Sequence, residues 1–107
     1  MRLMAFLAAL ALISTTALAE SQPPNATPSK RIAKIIARSD GRSAESAFKV
    51  RSVREEYEIL AALGLEPGTQ SLVASNKRNY DVIEGKDVHT GTKREVWFDI
   101  GSFYPGF

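Results

Sequence analysis

His89 is the one histidine in this sequence, and Asp87 lies two residues before it. An imidazole beside a carboxylate is the smallest unit that can pass a proton or begin a metal site. A metal, however, needs a third and fourth donor, and a hydrolase needs a nucleophile within reach of its base. The chain has no cysteine, which excludes disulfides, thiolate metal sites and a cysteine nucleophile together. It also lacks the Gly-x-Ser-x-Gly elbow of serine hydrolases and any glycine-rich phosphate loop. His89 therefore reads as a solvated loop residue, and no catalytic residue, metal site or cofactor is assigned. The alternative from the enzyme class is a small hydrolytic or metal-assisted activity using His89 with nearby carboxylates.

A second set consists of Asp81, Glu95 and Asp99, which strand alternation places on the sheet face opposite the core, with Trp97 among them. Paired carboxylates do acid and base work only in a cleft that drives their pKa values apart, so this face reads as solvated and suited to binding. Trp97 is expected to be covered by the basic N-terminal segment. Five aromatics, Trp97, Phe98, Phe103, Tyr104 and Phe107, crowd the last eleven residues. They form either a tail folded over the sheet edge or an exposed aromatic hook for a protein partner. The candidate binding residues are thus Trp97, Phe103, Tyr104, Phe107, Asp81, Glu95 and Asp99.

Charge supplies the third candidate. Lys30 to Arg54 carries eight basic residues against two acidic ones, whereas Glu55 to Phe107 carries five basic against nine acidic. The basic stretch suits an anionic surface. With Phe48 as its single aromatic and a net charge of only +2 on the whole chain, nucleic acid is not the expected partner.

These side chains must be positioned by a short chain. Of the 107 residues, 1–19 read as a signal peptide: Arg2 supplies a positive start, Leu3 to Ile13 is an apolar run, and Ala17-Leu18-Ala19 has the small-x-small form of a cleavage site. The run is too short for a bilayer span, which needs about 20 residues. An exported, periplasmic or secreted domain without a transmembrane anchor is expected. Residues 20–29, with three prolines, read as a flexible tether, 30–46 as a basic segment forming a short helix or strand, and 47–107 as one small domain. Without disulfides such a domain rests on its core, which leaves room for an oligomer.

The fold class follows from periodicity. Ser52 and Glu55 form a capping box, after which Val53, Tyr57, Ile59, Leu60 and Leu63 share one arc of a helix that Gly64 can end. Three strand-like runs follow, 70–75, 79–87 and 93–100, joined by short polar connections. Val96, Phe98 and Ile100 alternate with Glu95, Trp97 and Asp99. The expectation is an α+β domain with one main amphipathic helix on a three- to four-stranded antiparallel sheet, its Tyr57, Leu60 and Leu63 against Val82, Val96, Phe98 and Ile100.

From Ala47 to Phe103 the segments AFKVRSVREEYEILAALGL, QSLV, YDVIEGKD and REVWFDIGSF resemble small exported bacterial domains of uncharacterised function. The resemblance implies a helix followed by an antiparallel meander ending in an aromatic-rich strand, and brings no activity or ligand with it. The element order also resembles cystatin-like folds. The reading taken forward is a non-catalytic binding module acting through its sheet face or aromatic tail, with an anionic-surface binder using residues 30–54 as a further alternative.

Overall fold

The computed structural model describes Pro23 and residues 25–104; the expected signal peptide and Phe107 lie outside the described residues. Two helices, α1 (Lys30–Arg38) and α2 (Val53–Ala62), accompany four strands: β1 (Phe48–Lys49), β2 (Leu65–Ser75), β3 (Arg78–Asp87) and β4 (Lys93–Asp99). The sheet order is β1-β4-β3-β2. β2, β3 and β4 form the expected antiparallel meander, while β1 joins the far side of β4 in parallel. Parallel pairing is open to β1 because a crossover, α2 with β2 and β3, separates it from β4.

Residues 30–38 are helical. Ser29 caps α1 by accepting a hydrogen bond from the Ile32 N–H at 3.2 Å, and Ile32, 1 % exposed, enters the main core. Residues 25–29 are also more than a tether: the Asn25 N–H donates to the Ala61 carbonyl at the end of α2, and the Asn25 side chain meets His89.

α2 begins where its sequence says, with the Ser52 hydroxyl accepting from the Glu55 N–H. The reciprocal half of the expected box is redirected, since the Glu55 carboxylate accepts from the Arg51 N–H at 2.8 Å. Its buried residues are Glu56, Ile59, Leu60 and Ala61. Val53, expected on the apolar arc, is 47 % exposed. Position 53 lies in the first turn, past the edge of the apolar cluster, and Glu56 occupies the buried arc instead.

β2 starts earlier than expected, at Leu65 rather than Gln70. Pro67 and Gly68 do not end it, because β2 is an edge strand and the register shifts between Pro67 and Gln70 as one extra residue bulges out; an edge and a bulge are the two places where a strand tolerates proline. The β2–β3 connection is a two-residue turn with Asn76 and Lys77 both at positive φ, 51° and 60°, the backbone of a type I′ hairpin.

The core beneath α2 is built from Phe48, Val50, Ile59, Leu60, Leu65, Ile83, Val96, Phe98 and Ile100, with Tyr57 and Leu63 packed at its margin. One expected contact is corrected. Ile83, not Val82, faces the helix, because Ile83 lies opposite Val96 and Val82 opposite Trp97, and residues directly opposed across a ladder share a face. Both faces of β3 are buried along Asn79 to Ile83, and Val82 and Ile83 are apolar neighbours, so alternation alone could not choose between them.

The β4 edge is closed by the preceding loop. The Trp97 N–H donates to the Gly41 carbonyl at 2.7 Å and the Arg94 guanidinium donates to the Asp40 carbonyl at 2.6 Å. Gly41 is buried at φ +66° and a Cβ there would overlap the Phe48 ring. Gly41→Ala combines a left-handed backbone with a displaced core aromatic, so it should cost about 2 to 4 kcal/mol, measured by urea unfolding.

Candidate functional site

The largest concentration of unpaired charge lies on α1. Burial of Ile32 and partial burial of Ile35 and Ile36 turn Lys30, Lys34 and Arg38, spaced by four residues, outward along one stripe. Arg31 is held across to α2 by two hydrogen bonds to Glu55, Nε to Oε2 at 2.8 Å and Nη2 to Oε1 at 3.1 Å. The paired guanidinium, opposed in part by burial and helped by the Arg51 N–H, keeps the Glu55 carboxyl below its ordinary pKa. The same carboxylate fixes the backbone of Arg51 at the opposite wall. Between these walls is an open groove of about 360 Å³ lined by Lys30, Arg31, Lys34, Ile35, Arg38 and Arg51. Glu55 satisfies Arg31 and also feels the charge of Arg51; among the described residues no carboxylate pairs with Lys30, Lys34 or Arg38. The groove therefore sets three unpaired cations and Arg51 around a concave, partly apolar floor, a concentration of positive charge in one place.

The residues expected to bind are not assembled into one site. Asp81 is opposite Phe98 and therefore lies on the helix face, not on the outer face with Glu95, Trp97 and Asp99; the correction follows from the same register that places Ile83 inward. Asp99 is committed to structure, accepting from Arg78 at 3.0 Å and from the Gly101 N–H at 2.9 Å. Glu95 is exposed and stands opposite Glu84. Trp97 is half-buried edge-on against Tyr80, with ring centroids 5.7 Å apart. Its expected cover, the basic segment, instead packs Ile32 into the core on the helix side.

The described part of the aromatic tail, up to Tyr104, turns back. The Phe103 and Tyr104 N–H groups both donate to the Ile100 carbonyl, the Tyr104 carbonyl accepts from the Asn79 side chain, and the Ser102 hydroxyl is bonded to the Val50 carbonyl. The Phe103 and Tyr104 rings remain partly exposed. The Asp87 carboxylate is engaged first by the backbone of its own loop. One of its oxygens accepts the His89 and Thr90 N–H groups at 2.8 and 3.0 Å, bonds that hold its pKa low and shape the β3–β4 loop. The His89 ring is 3.1 Å from the Asn25 amide. Among the described residues no group of three or more His, Cys, Asp or Glu side chains is arranged to hold a metal.

A feature that sequence reading missed lies under α2. Glu56 is completely buried, with no basic partner and no closely made hydrogen bond on either carboxyl oxygen, and its polar neighbour is the Asp81 carboxyl. Burial first, and then the neighbouring Asp81 carboxyl on β3, push its pKa up to about 9. The signal was available: Glu56 precedes Ile59, Leu60 and Leu63 by three, four and seven residues, the spacing of a single helix face.

The profile of DUF4919, described as a domain of unknown function, matches residues 2–104. The chain belongs to that family. No curated protein and no solved structure matches it. Family membership agrees with the resemblance noted from Ala47 to Phe103 and extends over nearly the whole chain. Among the described residues no helix is long and apolar enough to cross a membrane.

Proposed function

We propose that this chain is an exported, non-catalytic binding domain whose α1 groove holds anionic headgroups at a membrane surface. The observation that carries the reading is the set of three cations, Lys30, Lys34 and Arg38, left without carboxylate partners among the described residues and facing Arg51 around one groove. Binding needs no titrating nucleophile and no metal, only a fixed arrangement of positive charge, which the Arg31–Glu55 clamp supports by tying α1 to α2. The signal-like N-terminus supports delivery to an envelope compartment, where anionic lipid surfaces are at hand.

Each cation close to an acidic surface contributes about 1 kcal/mol. Replacing Lys34 and Arg38 together with Gln should therefore weaken binding to vesicles containing acidic lipid by about thirtyfold. Because these side chains are exposed, wild-type binding should also fall steeply between low and high salt. Vesicle co-sedimentation checks both effects, with zwitterionic vesicles and free inorganic phosphate as comparison arms. Equal binding to acidic and zwitterionic vesicles, or binding that ignores salt, would overturn the reading.

A further inference from the structure

The two edges of the sheet are treated differently. On the β4 side, β1, the Gly41 carbonyl and the Val50 N–H take up backbone hydrogen-bonding positions, and the Arg94 guanidinium ties the covering loop down through the Asp40 carbonyl. On the other side β2 presents eleven residues, and among the described residues nothing pairs with its outer edge. Soluble domains ordinarily protect such an edge with charge, proline or a covering segment. Here Pro67 to Asn76 contains ten consecutive uncharged residues, and the single proline sits at the bulged end, leaving Gln70 to Ser75 in regular register and neutral. Leu72, at the middle of that stretch, is 54 % exposed although it lies on the helix face opposite Asp81.

We infer that β2 is the dimerisation edge of this domain, pairing antiparallel with β2 of a second copy about a two-fold axis at Leu72 to make one continuous eight-stranded sheet. The occupant is argued from self-complementarity. An antiparallel two-fold pairing needs an edge that tolerates itself, and a neutral strand sets no like charges against each other. The same pairing brings the Glu66 end of each strand beside the Lys77 end of the other, so the two charges that bracket the neutral stretch meet opposites at both margins. It also gives each exposed Leu72 an apolar neighbour, its own counterpart across the axis. A helix or loop from a different protein would use none of these three features.

The test uses the chain in the form in which the producing cell accumulates it. Sedimentation equilibrium from micromolar to submillimolar concentration should show a monomer–dimer equilibrium, and Leu72→Lys, which places two ammonium groups at the axis, should raise the dissociation constant on the order of a hundredfold. Circular dichroism checks that the variant stays folded, as it should with a half-exposed residue. Because the chain has no cysteine, Leu72→Cys supplies an independent readout: mild oxidation should link two copies through position 72, whereas Glu95→Cys, exposed in mid-sheet, should not link. A chain monomeric at every concentration, whether its edge is bare or covered by its own N-terminal residues, would overturn the inference. So would a dimer indifferent to Leu72→Lys that fails to cross-link at position 72.

Discussion

Glu56→Gln should stabilise the domain at pH 7 to 8 and change almost nothing near pH 4.5. A carboxyl group whose folded pKa is about 9 against an ordinary 4.5 holds its proton in the folded state through a range where the unfolded chain has released it. Folding then takes up a proton, so the stability attached to this group is fully present below about pH 4.5 and is lost as pH climbs toward about 9. Each pH unit inside that window costs about 1.4 kcal/mol. Glutamine keeps the size and the neutrality of the protonated acid, and its amide can donate toward Asp81 in place of the acid proton. The variant therefore avoids the cost that ionisation imposes, a gain of about 2 to 4 kcal/mol at pH 7. Urea unfolding at pH 5, 6, 7 and 8 should give parallel lines for neither protein: the wild type loses stability with rising pH, and the variant loses much less. A variant weaker than wild type by the same amount at every pH would mean that Glu56 is ionised in the folded protein and held by a cation.

The same residue shows what the sequence could and could not reveal. The limits of α2 were legible because Ser52, Glu55 and Gly64 act through local backbone chemistry, and β4 was legible because Glu95 and Asp99, with Trp97 between them, alternate with Val96, Phe98 and Ile100. β3 was not, since Tyr80, Val82 and Ile83 are all apolar and only pairing with β4 decides which of them faces α2. Asp81 was misplaced by that one-residue ambiguity, and its neighbour Glu56 was overlooked because three glutamates at the start of a helix satisfy the helix dipole whether or not one of them is buried. The basic residues of the groove could be counted from the sequence. Their assembly could not, because it depends on Glu55 leaving its own capping box to hold both Arg31 and the Arg51 backbone. Ala47 to Val50 reads as a brief strand from sequence, and β1 lies within it at Phe48–Lys49; its pairing was not legible, since the parallel partner lies some fifty positions on.

Leu60→Ala should be a strongly damaging truncation in α2. Leu60 is 1 % exposed and belongs to the cluster that joins α2 to Ile83, Val96 and Phe98, so its removal loses both the transfer energy of the side chain and the contacts around the cavity left behind. The expected cost is about 2 to 5 kcal/mol, which for a domain this small lowers the melting temperature by about 10 to 25 °C. Val53→Ala supplies the contrast. Both residues occupy the arc that periodicity alone marks as apolar, yet Val53 is 47 % exposed, and its truncation should change stability by no more than about 0.5 kcal/mol. Thermal melts of the two variants, compared at one pH, separate the helix face drawn from the sequence from the face that is buried. Equal losses at positions 53 and 60 would require α2 to be rotated toward Val53, which would also lift Glu56 out of the core and remove the pH dependence expected of it.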